Sequence, residues 1–139
     1  MKLLLLVILC FSALTAAAQT DLPITGTVAD VQAKTKYYLS APTATHKWML
    51  KELNKNKRLI RVNSPDDAEF FIEYKTTNPI KDTSTASGLL AGEEGQLDVY
   101  FMREGRKVIA YTQGGRGGWK GAPYITFTRA FRKEYERHE

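Results

Sequence analysis

Ala68-Glu69-Phe70-Phe71-Ile72-Glu73-Tyr74-Lys75-Thr76 is the stretch on which the fold turns. Ala68, Phe70, Ile72 and Tyr74 alternate with Glu69, Phe71, Glu73 and Lys75. A period of two puts the first set on one side of a β-strand and the second, mixed set on the other. Such a strand belongs to a sheet with one buried face. Ser64-Pro65-Asp66-Asp67, just before it, has the residue chemistry of a turn.

Downstream, Gln96 to Met102 and Lys107 to Thr112 read as strands flanking Arg103-Glu104-Gly105-Arg106. Gly105 supplies the positive φ that a tight hairpin needs. Upstream, Thr35-Lys36-Tyr37-Tyr38-Leu39 and Leu59-Ile60-Arg61-Val62 read as two more strands. Between them Trp48, Met49 and Leu53 fall at helical spacing and Leu50 widens the stripe. A helix is therefore expected from Thr43 or Thr45 to about Asn56, after the break at Ala41-Pro42. The tail is helical from about Ile125, with Phe127, Ala130, Phe131 and Tyr135 on one stripe. The expected order is β-α-β-β-β-β-α. Both helices need an apolar face to cover, which makes the fold class α+β: a two-layer sandwich, a mainly antiparallel sheet with two helices on one face. Two connections stand out. Residues 77–95 show little periodicity and exceed the usual length of structureless loops, and Gln113 to Gly121 is glycine-rich.

The composition agrees with a single globular domain. The chain has 139 residues, 43% hydrophobic and 25% charged, with a formal net charge of +5. Collagen, low-complexity disorder and a multi-span membrane protein are excluded. Met1-Lys2, the apolar run Leu3 to Leu14 and Thr15-Ala16-Ala17-Ala18 form the three-part pattern of a signal peptide. The run is shorter than the roughly 20 residues of a membrane span. It also lacks the polar face of a soluble helix. Residues 1–18 are thus expected to be removed near Ala18, residues 19–32 to be a flexible lead-in, and residues 33–139 to be one domain, secreted or periplasmic. Cys10, the one cysteine, lies in the discarded segment, so the mature domain relies on its core alone.

Leu59-Ile60-Arg61-Val62, then Ser64 to Tyr74, then Gly95-Gln96-Leu97-Asp98-Val99-Tyr100 and Glu104 to Ala110 also form a scheme over residues 35–112. It resembles small exported bacterial domains such as the N-terminal domain of the Tol–Pal system's propeller protein and curli-secretion-type lipoproteins. The resemblance implies an anticodon-binding-like sandwich that works by protein–protein contact in the envelope, and it implies no catalytic residue.

The residues offer little for catalysis. A hydrolytic triad needs a base held near a nucleophile. Only His46, at a helix start, and His138, at the chain end, remain. No Cys/His cluster points to zinc. Asp66, Asp67 and Glu69 lack calcium-loop spacing, as do Glu93 and Glu94. Gly117-Gly118-Trp119-Lys120 is not a P-loop, because no Ser or Thr follows the lysine. No cofactor and no metal are expected. Glu73 and Asp98 are the carboxylates a hydrolase would bring together across the sheet.

Two basic surfaces are the candidate binding sites. Lys47, Lys51 and Lys55 recur every fourth residue as one helix stripe, and Arg58 extends it. The glycine-rich connection carries Arg116, Trp119 and Lys120, which together can clamp an anion or a carbohydrate. The expected function is a non-catalytic exported domain binding another envelope or extracellular protein, with exposed edge strands as a further means of pairing. The alternatives are a polyanion-binding domain and a carboxylate-dependent hydrolase. Nucleic acid fits poorly with export.

Overall fold

The computed structural model describes residues 22–78, 93–117 and 121–137. The strands are β1 (Ile24–Thr25), β2 (Lys36–Ser40), β3 (Ile60–Arg61), β4 (Phe70–Asn78), β5 (Glu94–Arg103) and β6 (Arg106–Arg116). The helices are α1 (Val28–Gln32), α2 (Thr43–Leu53) and α3 (Pro123–Arg137), with a short 3-10 turn over Pro65–Asp67. One six-stranded sheet runs in the order β1-β6-β5-β4-β2-β3. The long pairings, β4 with β5 and β5 with β6, are antiparallel. The short ones, β1 with β6 and β2 with both β3 and β4, are parallel. The sheet is therefore mixed, with antiparallel pairing at its centre.

The alternation that starts at Ala68 decides which face is buried. Phe70, Ile72 and Tyr74 of β4 lie in the core with Tyr37 and Leu39 of β2 and Leu97, Val99 and Phe101 of β5. Helix residues Val31, Met49, Leu53, Phe127, Phe131 and Tyr135 close that core from one side. This is the expected two-layer arrangement. A bulge between Val99 and Tyr100 shifts the register, so that Val99 faces Tyr111 and Tyr100 faces Ile109. It turns Tyr111 toward the helices, where its ring lies 5.6 Å from that of Phe131.

Three expectations need correction. The flexible lead-in, 19–32, holds structure from Ile24 onward: β1 extends the sheet and Val28 and Val31 of α1 are buried. Two residues of strand and five of helix are too short to show a period, so only packing reveals them. The connection expected over 77–95 loses both ends to strands, since Thr77 and Asn78 close β4 and Glu94 and Gly95 open β5. Residues 79–92 lie outside the described residues. The glycine-rich connection is in part a strand, because β6 runs through Gly114 and Gly115 to Arg116. Glycine is disfavoured in a strand, but β5 supplies a complete ladder opposite it.

Gly95 shows why a glycine is needed at that ladder. A Cβ there would overlap the ring and hydroxyl of Tyr74 on β4. The Tyr74 hydroxyl reaches past it to donate to Oε1 of Glu93 at 3.1 Å. Among the described residues no helix is long and apolar enough to cross a membrane.

Candidate functional site

Helical periodicity sorts the residues of α2. Thr45, Met49, Glu52 and Leu53 turn inward and are buried. Lys47, Trp48 and Lys51 turn outward and are exposed, so Trp48, expected on the apolar stripe with Met49 and Leu53, does not join it. The Trp48 side chain keeps 45% of its surface in solvent, and the Lys51 ammonium stands 5.7 Å from its ring centroid. Ala41, His46, Lys47, Trp48, Lys51 and Asn54 border an open groove along this side.

The expected basic stripe divides. Lys55 stays exposed at the groove, but its Nζ is held 2.7 Å from Oε1 of the buried Glu52. Arg58 leaves the stripe: it donates through Nη2 to the Gln32 carbonyl at 3.0 Å and lies 5.8 Å from the Tyr135 ring. Arg58 follows the helix end at Leu53, so helical spacing no longer places it. Lys47, Trp48 and Lys51 make up the outward surface, with the Glu52-bound Lys55 at its end.

Arg116 pairs with Glu94 across the β5–β6 ladder, Nε to Oε1 at 2.9 Å. Its guanidinium is thus already engaged by a carboxylate. Trp119 and Lys120, the other members of the expected clamp, lie outside the described residues. His46 is half-buried at the groove. Among the described residues no group of three His, Cys, Asp or Glu side chains gathers to hold a metal.

The register does bring Glu73 and Asp98 opposite each other, on the sheet face away from the helices. Both have partners. Glu73 lies 3.2 Å from Lys75 and 3.9 Å from Lys107. Asp98 accepts from Thr112 Oγ1 at 2.6 Å and from Gln96 Nε2 at 3.1 Å.

The same face carries a feature that sequence reading missed. Tyr38, Phe71, Tyr100, Ile109 and Thr25 are successive partners across five strands. Phe71 and Tyr100 stack with ring centroids 5.0 Å apart, and Lys107 Nζ sits 3.8 Å from the Tyr100 centroid. Burial, with the Glu73 carboxylate nearby, raises the Tyr100 hydroxyl above its ordinary pKa. The signal was the aromatic content of the second set of alternating residues, Phe71 above all; lining the rings up requires the strand register.

Two further carboxylates act on the fold. Glu69 Oε2 accepts from the backbone N–H groups of Lys36 and Thr35, at 2.9 and 2.7 Å, and these bonds hold its carboxyl below the usual range. Asp30 is lowered chiefly by the Thr27 backbone N–H of the α1 capping box.

No family model and no curated protein matches the chain. Among solved structures it is similar to the hypothetical protein CT253 from Chlamydia trachomatis, at 11% identity and a TM-score of 0.41. That likeness covers 75% of this chain and 95% of the other. At such a distance it carries no argument about function.

Proposed function

We propose that this protein is a small exported, non-catalytic domain that binds another envelope or extracellular protein through the outward side of α2. The observation that supports this is Trp48, a large apolar ring left 45% exposed between two lysines on a helix anchored from behind. Tryptophan is the residue most often found to dominate binding energy at interfaces, where its ring fills a partner's pocket. Lys47 and Lys51 beside it steer an acidic partner and fix its orientation. Export rests on the pattern of residues 1–18. The resemblance to exported domains of the Tol–Pal and curli type agrees with a role in protein contact.

The test is an in-cell crosslinking pull-down with the tagged chain, set against Trp48→Ala and the pair Lys47→Glu/Lys51→Glu. Recovery of one envelope protein by the wild type and its loss from both variants is the expected result. Equal recovery by all three overturns the reading. Retention on heparin that falls with salt and with the charge reversal, with no protein recovered, replaces it with polyanion binding.

A further inference from the structure

Among the described residues, the sheet is unfinished beside β6. β1 pairs with it only through Ile24 to Val108 and Thr25 to Ile109. The Gly26 N–H still donates to the Ile109 carbonyl, at 2.7 Å. Thr27 then opens α1, and its capping box with Asp30 turns the chain off the sheet. A Cβ at Gly26 would press on Val108 and on the Asp30 carboxylate, so glycine permits this abrupt exit. β6 continues to Arg116. From Tyr111 to Arg116 it pairs with β5 and, among the described residues, with no strand on its outer side. Thr112, Gly114, Gly115 and Arg116 are exposed. A strand edge of this kind presents backbone N–H and C=O groups ready to pair.

A pocket opens where β1 ends, bordered by Gly26, Gln96, Asp98, Lys107, Tyr111 and Thr112. Its two charges are not equivalent. The Lys107 ammonium is taken up by the Tyr100 ring and by Glu73. The Asp98 carboxylate receives only the neutral donors of Thr112 and Gln96. No cation pairs with it among the described residues. Asp98 is thus the uncompensated charge of the pocket.

We infer that the lane left open beyond Gly26 takes an added β-strand from an extended, basic peptide segment. The peptide main chain pairs with the outer edge of β6, and a Lys or Arg side chain enters the pocket against Asp98. Thr112 stands opposite Asp98 in the register. A residue added opposite Thr112 is therefore two strand spacings, about 10 Å, from Asp98. An extended lysine and an aspartate cover that distance with one charge-assisted hydrogen bond between them. The Thr112 side chain lying between is short, and its hydroxyl already points at the carboxylate. An acidic strand in the same lane would set like charges together. This site is separate from the α2 surface, and the two proposals fail separately.

The test is fluorescence anisotropy with the purified full chain and a fluorescein-labelled hexapeptide of alternating valine and lysine. Its counterparts are the valine–glutamate peptide and a valine–lysine peptide N-methylated at alternate residues. The lysine peptide should saturate and the glutamate peptide should not. N-methylation should abolish binding, because it removes the main-chain donors. Asp98→Asn should weaken the lysine peptide about tenfold, while Lys47→Glu/Lys51→Glu leaves it unchanged. The N-methyl comparison needs no variant, so the outcome stands even if Asp98→Asn unfolds. Equal binding of all peptides, no saturation by the lysine peptide, or insensitivity to Asp98→Asn in a folded variant overturns the proposal. So does concentration-dependent doubling of mass with no peptide bound, which would give the lane to a second copy of the chain.

Discussion

Arg129 of α3 donates through Nη2 to Oε1 of Glu52 on α2, at 3.2 Å, joining the two long helices by a carboxylate that is itself buried. Lys55 holds the same oxygen from the solvent side, at 2.7 Å. Burial works to raise the Glu52 carboxyl; the hydrogen bonds from Lys55 and Arg129 outweigh it, and the net shift is downward. Glu52→Ala removes the acceptor of both cations and should cost about 1–3 kcal/mol in urea unfolding at neutral pH.

Acid should unfold the protein through the same group. A carboxyl whose pKa is lower in the fold contributes stability above its unfolded value, about 4.3 for Glu. That contribution is lost as pH falls through the folded value. Glu52, Glu69 and Asp30 are all lowered. Unfolding free energy should therefore hold steady from pH 7 to about 5 and fall below about 4. Glu52→Gln should make that fall shallower, as followed by circular dichroism in urea.

Tyr37 contributes to the alkaline side, where Tyr74, Tyr100 and Tyr111 are also raised. The Tyr37 ring is wholly buried beside Phe70, and its hydroxyl has no hydrogen-bond partner among the described residues. Burial pushes its pKa up to about 12. A phenol raised in the fold favours the native state below its unfolded pKa, about 10, and loses that favour as pH rises toward the folded value. Tyr37→Phe should be neutral or stabilising by up to about 1 kcal/mol at pH 7, because it deletes an unsatisfied buried group. It should also lessen the loss of stability above pH 10. A cost larger than 2 kcal/mol would show that the hydroxyl has a partner.

Gly95 and Tyr74 should behave as one unit. Gly95→Ala places a methyl group inside the Tyr74 ring volume and should destabilise by about 1–3 kcal/mol. Tyr74→Leu removes the obstructing ring at its own cost. The double variant should be less unstable than the sum of the two singles, with a coupling of at least about 0.5 kcal/mol.

Arg58 and Lys47 should separate folding from surface. Arg58→Glu breaks the contact to the Gln32 carbonyl and sets a carboxylate near the Tyr135 ring, so the melting temperature should drop by several degrees. Lys47→Glu, on the outward side of α2, should stay within about 0.5 kcal/mol of wild type.

Reading from sequence succeeds where a period is long enough to repeat. The alternation through Phe70, Ile72 and Tyr74 identifies β4 and its buried face, and the stripe through Phe127, Phe131 and Tyr135 identifies α3. It fails for β1 and α1, which are shorter than a repeat, and for Gly114 and Gly115, whose place in a strand comes from β5 opposite them. At the candidate surface, spacing places Lys47 and Lys51 together, but it puts Trp48 on the apolar stripe with Met49 and Leu53, whereas packing leaves that ring exposed. Nor does spacing show that Arg58 turns back toward α1 and α3, because that contact joins distant parts of the chain.

The sequence by itself determined the layer architecture, the buried face of each long element and the scarcity of histidine and cysteine. All three follow from residue type and local period, which the chain carries without reference to its neighbours. Only the tertiary structure decided strand order, the row from Tyr38 to Thr25, the two-residue pairing of β1 with β6 and the Thr112 and Gln96 donors on Asp98. These depend on which strands pair and in what register, and pairing brings together residues that no local pattern connects.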